Sequence, residues 1–380
     1  MLQSKLPAVG TTIFTRMSAL AQKQGALNLS QGFPDFAAPE ALRKALARHA
    51  LEGHNQYAPM AGLPELREAI AAQLARHRNV ECDPESEITV LPGATEAIYC
   101  AITACINLGD EVILLDPCYD SYRPAVLLAG GVPVHIPLTP GTFRPDWARV
   151  EAAISRRTRM LVVNSPHNPT GAMLEKEDLE TLNALVANYG LLVVSDEVYE
   201  YLVYDGRVHY SALQFDALRA ATFAVFSFGK TYGVTGWKTG YCVAPPALTA
   251  ELRKVHQFVC FVAVTPVQQA LADFMCAEPD YPLTLAALYQ GKRDLFNRAL
   301  TGSPFRLEPS AGSYFQLLDY TDITDTPDAQ LCELWTKDPG VASIPISVFY
   351  QQPPEQHLLR FCFAKQDAVL QQAAERLCKI

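Results

Sequence analysis

Long hydrophobic runs are missing from this chain. The apolar stretches at 112–115 and 258–264 are far shorter than the roughly 20 residues that a bilayer-crossing helix needs. Residues 1–12 lack the apolar centre of a secretory leader. An excess of positive charge is also missing. Lys and Arg number 31 against 40 Asp and Glu, a formal charge of −9, so nothing offsets repulsion from a nucleic-acid backbone. The ten cysteines are scattered from Cys82 to Cys378 with no Cys-x-x-Cys pair, which argues against a disulfide framework and offers no metal cluster. There is no internal repeat and no low-complexity tract. The expectation is a cytoplasmic protein with no membrane partner, no nucleic-acid partner and no metal.

What remains is an ordinary apolar content, 49% in 380 residues, enough for one large domain and a smaller companion. From residue 87 onward, short β-branched-rich runs at 88–91, 112–115, 132–136, 160–163, 191–194 and 222–226 alternate with helical patterns at 94–106, 122–128, 146–154 and 176–188. Such alternation predicts an α/β fold, a mostly parallel sheet with helices on both faces, whose ligands bind beyond the carboxyl ends of the strands. After residue 244, helical patterns at 248–257, 267–275 and 283–300 lead to strand-like runs at 305–307, 314–318, 341–346 and 358–363 and a closing helix at 366–378. These predict a smaller α+β domain. The expected division is 1–38 as an N-terminal arm and part of the small domain, 39–280 as the large domain and 281–380 as the small one.

The stretch Phe-Ser-Phe-Gly-Lys-Thr-Tyr-Gly-Val-Thr-Gly-Trp-Lys-Thr-Gly-Tyr, 226–241, carries the chemistry. Lys230 follows an apolar strand in a small-residue loop. There, partial burial and a cationic neighbour, Lys238, lower the amine's pKa and suit it to Schiff-base chemistry. A surface loop with two solvated lysines is the plain alternative. Three other chemistries fail on spacing. A phosphate-binding P-loop needs glycine where Ala224 stands, with its acidic strand after the loop rather than before it. The penicillin-binding serine motifs would come in another order. No Gly-x-Gly-x-x-Gly occurs in the stretch.

Other strand ends supply companions. Pro92-Gly93-Ala94-Thr95 opens a helix whose free N–H groups suit an anion, or is a plain helix start with Thr95 as its cap. Asn168, between two prolines, can donate to a ring oxygen or can simply form an Asn-Pro turn. His167 beside it reads as a turn residue. Asp196 follows four apolar residues and needs a cation, whether a protonated pyridine nitrogen, a metal or a buried salt-bridge partner. Tyr199 can reach the same ligand. Tyr119 can stack on a planar ring, and Arg360 in an apolar strand needs an anion, a carboxylate ligand or a structural partner.

With Lys230, Asp196, Asn168, Tyr199, Ser227, Lys238 and Arg360 in this relative order, the chain resembles the fold-type-I pyridoxal-phosphate aminotransferases of class I. It is most similar to the branch holding methionine, glutamine and kynurenine aminotransferases. The likeness runs from Gln31-Gly-Phe-Pro-Asp through Asn55-Gln-Tyr-Ala-Pro and His167-Asn-Pro-Thr-Gly to Arg360-Phe-Cys-Phe-Ala-Lys.

The resemblance implies pyridoxal 5'-phosphate as cofactor and a homodimer with shared active sites. Lys230 would bond the cofactor's aldehyde and shuttle a proton. Asp196 would pair with the ring nitrogen, Asn168 and Tyr199 would bind the ring oxygen, and Tyr119 would stack. Gly93, Ala94, Thr95, Ser227 and Lys238 would hold the phosphate, with Tyr57 from a neighbouring subunit. Gly32, Asn168 and Arg360 would bind the substrate's α-carboxylate. Lys238 departs from the arginine of many relatives, which weakens geometric control of the phosphate. The implied reaction is ping-pong transfer of an amino group from an amino acid to a 2-oxo acid.

Phe14, Phe33, Phe36 and 258–264 favour an uncharged side chain such as methionine or an aromatic, or are core residues. A carbon–sulfur lyase on the same scaffold and a non-catalytic cofactor-binding protein are the rival readings.

Overall fold

The computed structural model describes residues 3–380. The strands are β1 (Leu27–Asn28), β2 (Ile88–Leu91), β3 (Glu111–Asp116), β4 (Val132–Pro137), β5 (Thr158–Asn164), β6 (Leu192–Asp196), β7 (Thr222–Ser227), β8 (Gly240–Val243), β9 (Phe315–Asp319), β10 (Val341–Ala342), β11 (Ile344–Pro345) and β12 (Leu358–Cys362). Seven of them form one sheet in the order β2-β8-β7-β6-β5-β3-β4. Every pairing is parallel except the two made by β8.

This sheet is apolar on both faces because both are covered. Val112 and Leu114 of β3 pack with Ile98, Ile102 and Val126 on one side. Ile113 and Leu115 pack with Leu179, Leu182 and Val186 on the other. Strands buried on two faces read as continuous apolar runs, which is why five of the six expected here were visible; the sixth, β4, is a partly exposed edge strand whose signal is its β-branched residues. β8 was not expected. Its four residues, Gly-Tyr-Cys-Val, contain one β-branched side chain and follow three glycines, so the pairing with β2 and β7 had no local signature.

Gly240 is required by that pairing. A Cβ there would stand 2.5 Å from the Phe226 carbonyl oxygen and 3.1 Å from the Ala94 nitrogen.

The C-terminal part forms an antiparallel sheet in the order β11-β12-β9, and β1 pairs in parallel with β10. Residues 305–307 make no strand, only an isolated bridge from Arg306 to Asp319. The run at 341–346 is two strands because the chain changes partner at Ser343, from β1 to β12. In the helix Asp367–Leu377, the residues Leu370, Ala373, Ala374 and Leu377 are buried, one stripe at helical spacing. The helix Ile13–Gln24 begins at a Thr12 cap that accepts from the Thr15 N–H and ends at Gly25 in the left-handed region, φ 63°. Val198, Tyr199, Leu202 and Tyr204, which follow β6, are buried in the core of the C-terminal part. One loop of the large sheet is therefore packed into the other body.

Replacing Gly240 by alanine is expected to destabilise the protein by about 1–3 kcal/mol through overpacking against Phe226 and Ala94. Urea unfolding of the cofactor-free protein measures this.

Candidate active site

The parallel register lines up the functional candidates along one rim. Asn164 ends β5 beside Asp196, the end of β6, while Ser227 ends β7 opposite Gly240. Leu91, just before Gly93, also faces Gly240. A cavity of about 180 Å³ opens beyond this rim, lined by Gly93, Ala94, Thr95, Tyr119, Asn164, Asn168, Asp196, Tyr199, Ser227, Lys230 and Lys238 together with Ile98, Val198, Gly229, Thr235 and Thr239. Ten of the expected residues thus meet around one space.

At one end is Asp196, buried, with one carboxylate oxygen accepting from the Tyr122 hydroxyl at 2.6 Å and the other from the Val198 N–H at 3.3 Å. Among the described residues no cation lies within ion-pair distance of it. Burial pushes its pKa up to about 6, against the pull of Tyr122, Val198 and the Lys230 charge. At the other end the helix Ala94–Cys105 starts at Gly93, φ 87°, without a side-chain cap, so its first N–H groups are free. Lys238, in the left-handed region at φ 49°, brings Nζ to 3.4 Å from where a Gly93 Cβ would lie. Lys238 forms no ion pair among the described residues. The helix start is held from behind by Glu96, which accepts from Cys100 at 3.3 Å and contacts His256 Nδ1 at 2.9 Å.

Between these ends lies Lys230, in the helical turn Phe228–Thr231. Its Nζ donates to the Tyr314 hydroxyl at 2.7 Å and to the Gly32 carbonyl at 3.1 Å. Burial, with repulsion from Lys238 and Arg360, lowers its pKa to about 8. Arg360 is buried with its guanidinium 3.9 Å from the Phe315 ring centroid and 5.2 Å from that of Phe14. It donates to Asn168 Oδ1 at 2.6 Å and to the Ser30 carbonyl at 2.8 Å, while its Nε has no partner. Burial lowers its pKa to about 10, so it stays a cation at neutral pH.

The unsatisfied groups fit pyridoxal phosphate. A buried carboxylate suits a ring cation, a free helix start beside Lys238 suits a phosphate, a neutral-leaning amine suits an aldehyde, and Arg360 suits a carboxylate. Asn164, Tyr122, Ser30 and Tyr314 were not singled out from sequence. Asn164 donates to the Asp196 carbonyl and accepts from the Asn168 N–H, both at 2.8 Å. Tyr314 opens an expected strand and Tyr122 an expected helix, signals for the element and not for the role. His167 contacts Thr170 Oγ1 at 2.7 Å and burial lowers its pKa to about 4, so it is neutral. Arg360, Tyr57, Gly32, Phe14, Phe33 and 258–264 do not line the cavity; Arg360 reaches its edge through Asn168. Tyr57 is 84% exposed against Phe261, and Phe33 caps Lys365. Phe258 is 85% exposed, so it is neither core nor cavity wall in the single chain.

Residues 24–377 match the aminotransferase class I and II family, and the chain belongs to that family. It is 49% identical over 375 residues to the methionine aminotransferase of Escherichia coli, covering 99% of this chain and 97% of that protein. The solved E. coli structure for which a methionine aminotransferase function was identified superposes with a TM-score of 0.98, each chain covered completely. The N-succinyldiaminopimelate aminotransferase of Mycobacterium tuberculosis follows at 38% identity and a TM-score of 0.96, again over both whole chains. An aspartate aminotransferase of Thermus thermophilus, 32% identical over 100% of this chain and 99% of that one, superposes at 0.90. The protein is an aminotransferase with the fold-type-I architecture, and the class I family depends on pyridoxal phosphate.

Asp196 supplies a test that needs no turnover. Its raised pKa means that the folded protein loses stability as pH rises from about 4 through 6, and above 6 the loss is constant, roughly 3 kcal/mol. Cofactor-free Asp196→Asn is therefore expected to melt higher than the parent at pH 7–8, with the gap closing as pH falls through 6 towards 4. Thermal denaturation across that range checks it.

Proposed function

We propose that this aminotransferase takes the amino group from an uncharged amino acid, methionine or an aromatic one, and passes it to a 2-oxo acid in two half-reactions. The observation that carries the substrate class is the character of the cavity wall. Among the described residues its only cations are Lys230 and Lys238, both committed elsewhere, so no positive group is left for a substrate's side-chain carboxylate. The similarity to a methionine aminotransferase supports the same reading. Since aspartate and methionine enzymes share the fold, architecture alone does not choose between them.

Bound pyridoxal phosphate supplies an aldehyde carbon for the amine and a protonated ring that withdraws electrons from the α-carbon. In this reading Asp196 holds the ring-nitrogen proton, with Tyr122 fixing the carboxylate. The Ala94 and Thr95 N–H groups, Ser227 and Lys238 bind the phosphate. Asn168, whose Oδ1 is occupied by Arg360, offers its amide N–H groups to the ring oxygen, with Tyr199 beside it. Tyr119 covers one ring face. The Arg360 guanidinium and the Gly32 backbone would orient the α-carboxylate, with Phe14 beside that guanidinium. Lys230 Nζ would hold the cofactor through its aldehyde carbon and, once displaced by the substrate's amine, would take the α-proton and deliver it to that same cofactor carbon.

We also infer a homodimer. Tyr57, Phe258, Phe261 and Val264 make an exposed apolar patch. Thr265 ties it together, accepting from the Ala58 N–H at 3.1 Å and donating to the Gln56 carbonyl at 2.6 Å. A second copy would cover the patch and place Tyr57 at its neighbour's phosphate site.

Borohydride reduction and peptide mapping are expected to find the pyridoxyl group on Lys230. In Lys230→Ala, the adduct is absent and the half-reaction falls roughly 10³-fold or more. A half-reaction panel should rank methionine and phenylalanine above aspartate; the reverse order refutes the substrate class. Arg360→Gln should cost about 1.5–3 kcal/mol in kcat/KM for donor and acceptor alike, because both carry the α-carboxylate.

A further inference from the structure

Three groups that the reaction scheme does not connect meet at a triangle of hydrogen bonds. Tyr314 is fully buried just before β9, edge-on to Tyr199 at 5.0 Å and to Phe315 at 4.9 Å between centroids. Its hydroxyl donates to the Gly32 carbonyl. A hydroxyl has one proton, so towards Lys230 its oxygen can only accept. Lys230 Nζ donates to it and to the same Gly32 carbonyl. A neutral amine has two N–H groups and one lone pair. Both acceptors lie on one side of Nζ, so its N–H side faces them and the lone pair faces away.

Gly32 cannot drift from this arrangement. A Cβ on it would lie 2.7 Å from the Phe315 ring. Its loop is held by Arg360 donating to the Ser30 carbonyl and by Lys365 donating to the Phe33 carbonyl, both at 2.8 Å.

We propose that the Tyr314 hydroxyl and the Gly32 carbonyl form a cradle for the released Lys230 amine, turning its lone pair into the cavity, so that Tyr314 is a positioning residue for proton transfer. The proposal rests on the proton-shuttling role assigned to Lys230 above. It gives the residue that leads into β9 a part in the chemistry, and it makes the loop at Gly32 serve two partners: its carbonyl holds the lysine while its N–H remains for the substrate carboxylate. A protonated amine would present a third N–H, for which the cradle has no acceptor. The ionisable groups acting on the amine are Asp196, Lys238, Arg360 and Cys362, and Tyr199 and Tyr314 lie within 5.6 Å of Nζ at their ring centroids. Of these, Tyr314→Phe removes the Tyr314 hydroxyl and leaves every other group in place.

The test is Tyr314→Phe in the holoenzyme, which keeps the ring and deletes one oxygen. Tyr289→Phe is the control, since that ring packs on Tyr314 at 6.1 Å and its hydroxyl does not touch Lys230. Native melting of both variants checks the fold. In Tyr314→Phe the borohydride adduct on Lys230 should persist. The first half-reaction with methionine should slow about 10–100-fold with little change in substrate affinity, and the isotope effect with α-deuterated methionine should rise towards its full value. The pH midpoint of the half-reaction should move downward, because a lost acceptor disfavours the ammonium more than the amine. Tyr289→Phe should change none of these. A Tyr314→Phe enzyme with the parent's rate, isotope effect and pH profile overturns the cradle. Absence of the adduct from the parent enzyme would instead remove the function on which the cradle depends.

Discussion

Two groups of opposite charge are buried at the rim of one sheet, and neither has an ion-pair partner there among the described residues. Asp196 ends β6 and Lys230 follows β7, facing the same cavity. Burial drives each towards its neutral form, the carboxylate up to about 6 and the amine down to about 8. Each alone would be a liability; together they are the complement of a flat cationic ring bearing an aldehyde. The rest of the architecture keeps them there. The sheet needs covering on both faces so that Asp196 stays dry, and the parallel register must hold so that Asn164, Asp196 and Ser227 reach the rim together.

The carboxylate-binding end obeys a different rule. Arg360 lies on β12 of the second sheet, hemmed by Phe14, Phe315 and Phe349. Aromatic faces stabilise a guanidinium without discharging it. Asn168 and Ser30 occupy two of its nitrogens and leave Nε unanswered. An arginine so fixed suits the carboxylate that every α-amino acid and 2-oxo acid has in common, which is the role proposed for it. In the proposed reading, discrimination among side chains then falls to the remaining wall, where the described residues offer no further cation.

The two bodies are not independent scaffolds. The Val198–Tyr204 segment leaves the large sheet and enters the core of the smaller body, while the Ser30–Phe36 loop is pinned by β12 and by Lys365. Lys230 touches both through Gly32 and Tyr314.

Much of this was legible from residues alone. The two-face burial of the sheet wrote continuous apolar runs into the chain, and strand ends advertised themselves through Gly93, Asn168, Asp196 and Lys230, where polar chemistry interrupts those runs. β8 was not legible, because its identity as a strand comes from pairing with β2 and β7 and not from its own four residues. The split at Ser343 and the missing strand at 305–307 have the same origin: strand state is set by which neighbour is in reach.

The sequence by itself determined which chemistry is present, since a lysine, a carboxylate and an arginine in apolar settings carry their own demand for partners. Only the tertiary structure decided what those partners are. Tyr122 on Asp196, Tyr314 and Gly32 on Lys230, and Ser30 on Arg360 come from 74 to 330 residues away along the chain. No local pattern encodes a hydrogen bond between groups so separated; the packing of two sheets and one loop does.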